Sequence, residues 1–365
     1  MRREAQFRMP RSEALALLSR VPVVHLATTT PDGAPVLRTL HAAIVDGALV
    51  FHAAPIGEKM ETLGRACVIC AEELVASIPS YFLDAERACP ATTLYRSVQV
   101  HGTLEPVDDM DAKARALAAI LAKHQPEGGH APMRADDSLY TKAVAGIAVV
   151  RISLEQLDGK AKLGQHRSPA DRAAMLEGLW KRGARGDVEA IELIRAVAPD
   201  SPAPALLRGP EGLTLHAALD ASAVTDVLRL VHDDAVYWND LHTDAELARA
   251  HLGASAWVGA RDADGKLVAT ARALSDGGKC AWLYDVIVAP EWRGRGVGAA
   301  LVQLLLAHPA VRNARSVRLG TRTAQDFYAR FGFTGGAPTL SSDGKALTTM
   351  MTLWREPSPA LHAPR

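Results

Sequence analysis

Asp285-Val-Ile-Val-Ala-Pro-Glu-Trp-Arg-Gly-Arg-Gly-Val-Gly298 runs directly into an apolar segment, Ala299 to His308. A run rich in β-branched residues stops at Pro290, a short basic and glycine-rich turn follows, and a helix then begins. Val297, Leu301, Leu304 and Leu305 recur at helical spacing, and Pro309 ends the pattern. A strand, a turn and a helix in this order aim several free backbone N–H groups and a helix N-terminus at one point, which suits an anion. Gly294, Gly296 and Gly298 leave the main chain open to approach, and Arg293 and Arg295 add positive charge. A pyrophosphate is the natural occupant. The turn lacks the Gly-Lys-Ser/Thr of a Walker loop, and it is not a Rossmann Gly-x-Gly-x-x-Gly with an acidic residue downstream.

Working outward, 365 residues exceed what one domain usually holds, so two cores are expected. Apolar residues make up 48% of the chain, and 41 basic side chains balance 41 acidic ones. This composition fits a soluble globular protein and argues against a nucleic-acid binder that relies on a basic surface. No apolar run approaches the roughly 20 residues that span a bilayer. The opening Met-Arg-Arg-Glu-Ala-Gln-Phe-Arg has no signal-like apolar region, so no membrane association and a cytoplasmic location are expected. Cys67 and Cys70 form a Cys-x-x-Cys inside a β-like run that places them on opposite faces, which suits core thiols better than zinc or redox chemistry. The 13 histidines are scattered without metal-ligand spacing, so no metal site is expected.

From about 21 to 158 the chain reads as mainly β. Short runs lie at 23–29, 34–45, 48–54, 66–72, 97–105 and 146–153, with helices at 11–20, 57–63 and 109–123. Six strands with few helices suggest a small closed barrel. Residues 168–198 are helical and charged, and Pro199-Asp-Ser-Pro-Ala-Pro204 marks a boundary. The expected domains are 1–167, a helical and Pro-rich linker over 168–210, and 211–365. In the last, helices are expected at 222–233, 244–252, 299–308 and 324–331. Strands are expected at 256–261, 266–274, the signature run, 316–320 and 348–354.

The pattern Arg-x-x-Gly-x-Gly after Val-x-Pro resembles the acetyl-CoA-binding motif of the GNAT N-acetyltransferases. Thr321-Arg-Thr-Ala-Gln-Asp-Phe-Tyr-Ala-Arg-Phe-Gly-Phe333 is similar to the family segment whose helix carries a tyrosine and ends in Gly-Phe. The resemblance covers about 213–355 and implies an α/β acyl-CoA N-acyltransferase fold. It also implies acetyl transfer to the amine of a small molecule. It places acetyl-CoA on Arg293, Gly294, Arg295, Gly296, Val297, Gly298 and Ala299, with backbone amides near Ile287 and Val288 polarising the thioester carbonyl. Tyr328 would protonate the leaving thiolate, although its place between Phe327 and Phe331 also suits a core position. Asp285 is the candidate base, with a structural cap or pair as the alternative. Tyr237 and Trp238 are candidates for the acceptor pocket. Thr323 and Ala324 stand where many relatives have Asn and Ala, a departure at the site that holds the CoA tail.

The first part resembles the FMN-binding split-barrel superfamily, which includes pyridoxamine-phosphate oxidases, nitroimidazole-resistance reductases and Pai-type flavin regulators. The residues carrying this are Leu26-Ala-Thr-Thr-Thr-Pro-Asp-Gly-Ala-Pro35, Val50-Phe-His-Ala-Ala-Pro-Ile-Gly-Glu-Lys59, Tyr95-Arg-Ser-Val-Gln-Val-His-Gly102 and Gly159 to Arg172. The resemblance implies FMN held by Lys59 and Ser97, with Arg38, Thr39 and His52 near the ring or phosphate and Gln165 and Arg167 closing the site. It also implies a homodimer. Haem or deazaflavin, with His25, His41, His52 and His101 as possible axial ligands, and an empty site are the alternatives. The expected whole is an acetyltransferase joined to a flavin-type oxidoreductase domain. The alternatives are a flavin- or haem- and acyl-CoA-binding sensor without turnover, and a redox enzyme with an accessory GNAT domain.

Overall fold

In the computed structural model, the described residues are 4–201, 204–232, 236–340 and 346–356. The chain divides into two compact units, Met1–Ser77 with Thr92–His166, and Ile78–Ala91 with Arg167–Arg365.

The first unit contains α1 (Arg11–Arg20), β1 (Val24–Thr29), β2 (Pro35–Leu40), β3 (Ala42–Val45), β4 (Ala48–Ala53) and α2 (Glu58–Glu61). There follow β5 (Ala66–Ile78), β6 (Thr92–Thr103), β7 (Glu105–Val107), α3 (Met110–His124), β8 (Ala148–Ser153) and β9 (Gln156–Lys162). The strands form a five-stranded sheet, β2-β1-β5-β6-β9, and a four-stranded sheet, β3-β4-β8-β7. The expected run over 34–45 is two strands, because the chain breaks at His41 and passes from one sheet to the other. It does so again at Leu104, between β6 and β7. Two sheets sharing these crossings make a split barrel in place of a single closed ring. Asp109 caps α3 by accepting from the Ala112 N–H at 2.7 Å. The helix then buries Ala116 and Ile120 against Ala43, Val50 and Val149. Burying a side chain such as Ile120 contributes about 1.5–3 kcal/mol.

β9 is a strand that sequence patterning did not anticipate. Its residues have little β propensity, yet Tyr95 to His101 of β6 pair with it along its whole length. Its buried positions are Gly159 and Ala161, and a Cβ at Gly159 would come within 3.0 Å of Met9 and Ala14. The strand is recruited by pairing and close packing, which override local preference. Cys67 and Cys70 lie on opposite faces of β5, and both are free thiols. Burial pushes the Cys67 thiol up to about 11, so it behaves as a core residue.

The second unit begins with two helices, α4 (Pro169–Arg182) and α5 (Asp187–Val197). Ser168 caps α4, and Arg182 and Asp187 join the pair through two hydrogen bonds. Arg312 donates to the carbonyls of Trp180 and Lys181 at the end of α4. A Cβ on Gly178 would run into the Phe82 ring, so the 78–91 segment packs on α4 as well. These contacts group 167–201 with the second unit. Pro202 and Ala203 of the proline cluster, and Asp233 at the expected end of the 222–233 helix, lie outside the described residues.

The remaining elements are β10 (Thr214–His216), α6 (Val224–Val231), α7 (Asp244–Leu252), β11 (Ala256–Arg261), β12 (Leu267–Ser275) and β13 (Cys280–Val288). They continue with α8 (Val297–Ala307), β14 (Ser316–Thr321), α9 (Gln325–Ala329), β15 (Thr334–Gly335), β16 (Thr339–Leu340) and β17 (Ala346–Trp354). The sheet runs β10-β11-β12-β13-β14-β17-β15, with β16 also pairing β17. Among the described residues of this sheet, only β13 and β14 are parallel, and they pair over 280–282 with 316–318. Beyond Trp282 the two strands part and leave a wedge in the sheet. Among the described residues, no helix is long and apolar enough to cross a membrane.

His308, just after α8, is 5% exposed. Its Nδ1 accepts from the Ala310 N–H at 3.1 Å. Burial lowers its pKa to about 4. A histidine whose folded pKa is depressed favours folding fully above the unfolded value near 6.5, and this contribution is lost as pH falls toward 4. The expected loss is about 3 kcal/mol across that window, with no further loss from this group below it. All six tryptophans lie in the second unit, so intrinsic fluorescence during denaturant unfolding at pH 7, 5.5 and 4.5 isolates the effect. A His308→Gln variant whose stability falls just as steeply would refute the assignment.

Candidate active site

Three features converge at the C-terminal end of β13. The first is the turn itself. Pro290–Trp292 form a single 3-10 turn, Gly294 and Gly296 adopt φ of 75° and 81°, and α8 starts without a side-chain cap. The first helical bond runs from the Ala300 N–H to the Gly296 carbonyl, so the N–H groups of Val297, Gly298 and Ala299 project past the helix end. A Cβ at Gly294 or Gly296 would touch nothing within 4 Å, which leaves the space beside these amides open. Arg293 turns back, its Nε donating to the Val288 carbonyl at 2.9 Å. Arg295 lies over the Trp292 ring at 5.1 Å and, among the described residues, makes no hydrogen bond or ion pair.

The second feature is the wedge. The Ala289 N–H donates to Val268 on β12, so by strand alternation the Val288 amide faces the opposite edge, toward the gap before β14. Ile287 sits opposite Thr270 of β12, and its amide faces that strand. Of the two amides named from sequence, Val288's is the one open to a ligand in the wedge.

The third feature is Tyr328. Phe327 of α9 and Val288 of β13 both come to 3.6 Å of where a Gly298 Cβ would stand, so α9 abuts the turn. The Tyr328 ring packs edge-on to Phe327 and Phe333. Its hydroxyl has no hydrogen-bond partner among the described residues. Burial pushes the phenol up to about 12, which keeps the proton on the oxygen. A half-buried, protonated hydroxyl with no partner among the described residues, beside the glycine-rich turn, can donate to a departing anion.

Asp285 occupies an irregular point of β13. The register with β12 shifts between Thr270 and Arg272, and Asp285 takes φ 49°, a left-handed conformation rare for a side chain other than glycine. Such strain concentrates at ligand sites. The carboxylate is 8% exposed, accepts from Arg272 Nε at 2.6 Å and from Trp238 Nε1 at 3.0 Å, and lies 3.9 Å from His251 Nε2. His251 Nδ1 meets the Leu247 carbonyl at 2.9 Å, and Nε2 is buried with no hydrogen-bond partner. Burial lowers the His251 pKa. Asn239 Nδ2, beside Trp238 in sequence, is likewise buried without a hydrogen-bond partner among the described residues. Two orphaned polar atoms around one region mark a place built to receive something polar. Arg272, His251 and Asn239 escaped sequence reasoning because the bulge, which no local pattern announces, decides which side chains face Asp285. The side chain of Tyr237, named with Trp238 from sequence, lies outside the described residues. A cleft of about 510 Å³ is lined by residues including His251, Trp257, Asp220 and His308, so it reaches His251 from the end of α8 away from the turn.

In the first unit, Arg38 pairs with Glu58, and Thr39 lies 3.4 Å from His25 Nδ1. His52 has its pKa lowered by burial first, then by the Lys59 ammonium and His41, so these groups share one electropositive corner. Ser97 is on β6, separated from Arg38 and Thr39 on β2 by β1 and β5. The Gln165 amide binds the Leu163 N–H and the Ala161 carbonyl, stapling the end of β9. Arg167 donates to the Pro90 carbonyl and groups with the second unit. Of the candidate axial histidines, His25 pairs with Glu72, and the His41 ring packs at a tilt against His124 at 4.5 Å. Among the described residues, no group of three metal-ligating side chains is present.

Comparison with known proteins follows the same division. A family model described as pyridoxamine 5'-phosphate oxidase matches residues 10–161, and one described as acetyltransferase (GNAT) family matches 224–333. GCN5-related N-acetyltransferase 2, chloroplastic, of Arabidopsis thaliana is 37% identical over 76 residues, covering 20% of this chain and 30% of that protein. A protein of the GNAT family from Xanthomonas campestris pv. campestris is 34% identical, covering 34% of this chain and 87% of that one, with TM-score 0.30. The FAD and heme binding protein from Mycobacterium smegmatis is 22% identical, covering 42% of this chain and 71% of that one, with TM-score 0.36. The chain spans less than half the length of the curated relatives it matches. On one chain, therefore, a β-rich domain similar to the pyridoxamine 5'-phosphate oxidase model precedes an α/β domain similar to the GNAT acetyltransferase model.

Proposed function

We propose that the GNAT domain transfers the acetyl group of acetyl-CoA to the amine of a small molecule. The observation that carries this reading is the convergence of unpaired amides at the start of α8, the open wedge beside Val288 and the protonated Tyr328 hydroxyl. The diphosphate lies over Gly294, Arg295, Gly296, Val297, Gly298 and Ala299, with Arg293 behind it. The Val288 amide polarises the thioester oxygen, with Ile287 shaping the wedge wall. The neutral amine attacks the acetyl carbon, the C–N bond forms, and the C–S bond breaks. Asp285, oriented by Arg272 and Trp238, takes the amine proton through water, and Tyr328 gives its proton to the departing sulfur. Calorimetric titration with acetyl-CoA tests the foundation, and absence of measurable heat at micromolar protein would end the proposal.

The split barrel is proposed to hold a flavin, FMN, at a homodimer interface. The Lys59 and His52 corner suits a phosphate monoester, with Arg38 and Thr39 beside it and Ser97 farther along the sheet. When bound, the flavin would supply two-electron redox chemistry. Leu37, Ile56 and Leu74 expose apolar side chains on this unit, which supports self-association. The visible spectrum of purified protein, before and after adding FMN, separates the cofactor readings. Lys59→Ala should weaken FMN binding by about tenfold or more, and a sharp Soret band would replace flavin with haem.

A further inference from the structure

The acceptor side of the wedge carries a continuous row of side chains on one face of the sheet. Arg272 stands opposite Tyr284, and Trp282 lies between Leu274 and Arg318 in register. The Arg272 guanidinium lies 4.8 Å from the Tyr284 ring, Tyr284 and Trp282 stack at 6.3 Å and 18°, and Arg318 lies 5.8 Å from the Trp282 ring. Tyr284 and Leu274 are exposed, and Trp282 and Arg318 are half-buried. The row sits at the vertex of the wedge, because β13 and β14 stop pairing at Trp282 and Arg318.

The two arginines differ in a way that matters. Asp285 neutralises Arg272 at 2.6 Å. Arg318 has no hydrogen bond or ion pair among the described residues. A half-buried guanidinium held over an indole, without an anion of its own, is a site for a carboxylate, which it can grip with two parallel N–H groups. The neighbouring stacked rings and Leu274 offer a flat apolar surface for the rest of the same molecule.

From this arrangement we infer that the acetyl acceptor is an amino acid with an aromatic or bulky apolar side chain. Its carboxylate rests on Arg318, its side chain lies along Trp282 and Tyr284, and its amine reaches into the wedge. The inference rests on the acetyl-transfer reading above and narrows its substrate class. Arg318 is then a specificity-determining residue, and it acts by attraction to the carboxylate and not on the reacting atoms.

The test uses the full-length protein and matched pairs that differ only by the carboxylate: phenylalanine against phenethylamine, tyrosine against tyramine, tryptophan against tryptamine. CoA release is followed by thiol trapping, and acetyl-CoA binding is measured separately by calorimetry. The carboxylated member of each pair should have a kcat/KM about tenfold or more above its partner, as one charge-assisted hydrogen-bonded contact supplies. Arg318→Gln should collapse that ratio toward unity, chiefly through KM, and Arg318→Lys should restore part of it. Equal or inverted preference, or a ratio untouched by Arg318→Gln, overturns the inference while leaving acetyl transfer intact. No acetyl-CoA binding at all overturns the acetyl-transfer reading and this inference with it. Binding without CoA release from any of the six probes overturns the substrate class alone.

Discussion

Replacing Tyr328 by phenylalanine should lower kcat for acetyl transfer by about 10² to 10³ while changing acetyl-CoA affinity by no more than about twofold. The ring packs against Phe327 and Phe333, and phenylalanine preserves those contacts. Only the hydroxyl disappears, and no protein group depends on it among the described residues. The lost step is protonation of the departing sulfur, so the deficit appears in kcat and not in binding. Because burial pushes the phenol up to about 12, Tyr328 stays protonated through the working range. The rate should therefore show no loss attributable to this residue as pH rises to about 11, and falls only as the proton is lost beyond that. Steady-state CoA release across pH, with calorimetry for the coenzyme, checks both parts. Full turnover in the variant would return Tyr328 to a core role.

The second large effect is expected at Gly296. Its φ of 81° lies where a β-branched residue is strained, and the space above it is empty of protein within 4 Å. Gly296→Val therefore costs folding only about 1–3 kcal/mol, while its methyl groups stand where a diphosphate would approach the amides of Val297, Gly298 and Ala299. Acetyl-CoA affinity should fall by about 100-fold or more, the value of two lost charge-assisted hydrogen bonds. Gly298→Ala provides the contrast, since its Cβ would make only ordinary contacts with Phe327 and Val288. Fluorescence-monitored unfolding separates the two quantities. A Gly296→Val protein that folds and binds acetyl-CoA normally would place the coenzyme elsewhere.

Much of this site could be read before any coordinates. Val-x-Pro followed by alternating glycines and arginines specifies a strand, an open turn and an uncapped helix through local rules alone. The helix at 244–252 and the strand at 256–261 fall where patterning places them, because their capping residue and alternation are encoded within a few neighbours. β9 could not be read that way. Its Gly159 and Ala161 become strand residues through pairing with β6 and close packing under Met9 and Ala14. Gln165 likewise looked available in sequence and proves to be spent on its own backbone.

By itself, the sequence determined the two-part architecture, the glycine-rich turn before α8 and the tyrosine helix, because each depends on short-range spacing, backbone freedom and helix ends. Tertiary structure decided which charges are already satisfied. The bulge at Asp285 turns its carboxylate onto Arg272 and Trp238, Arg293 folds back onto Val288, and Arg295 and Arg318 keep their charge unpaired. Whether a charged group serves the fold or a ligand depends on partners distant in sequence. Strand register and a one-residue bulge bring those partners together, and no local pattern records them.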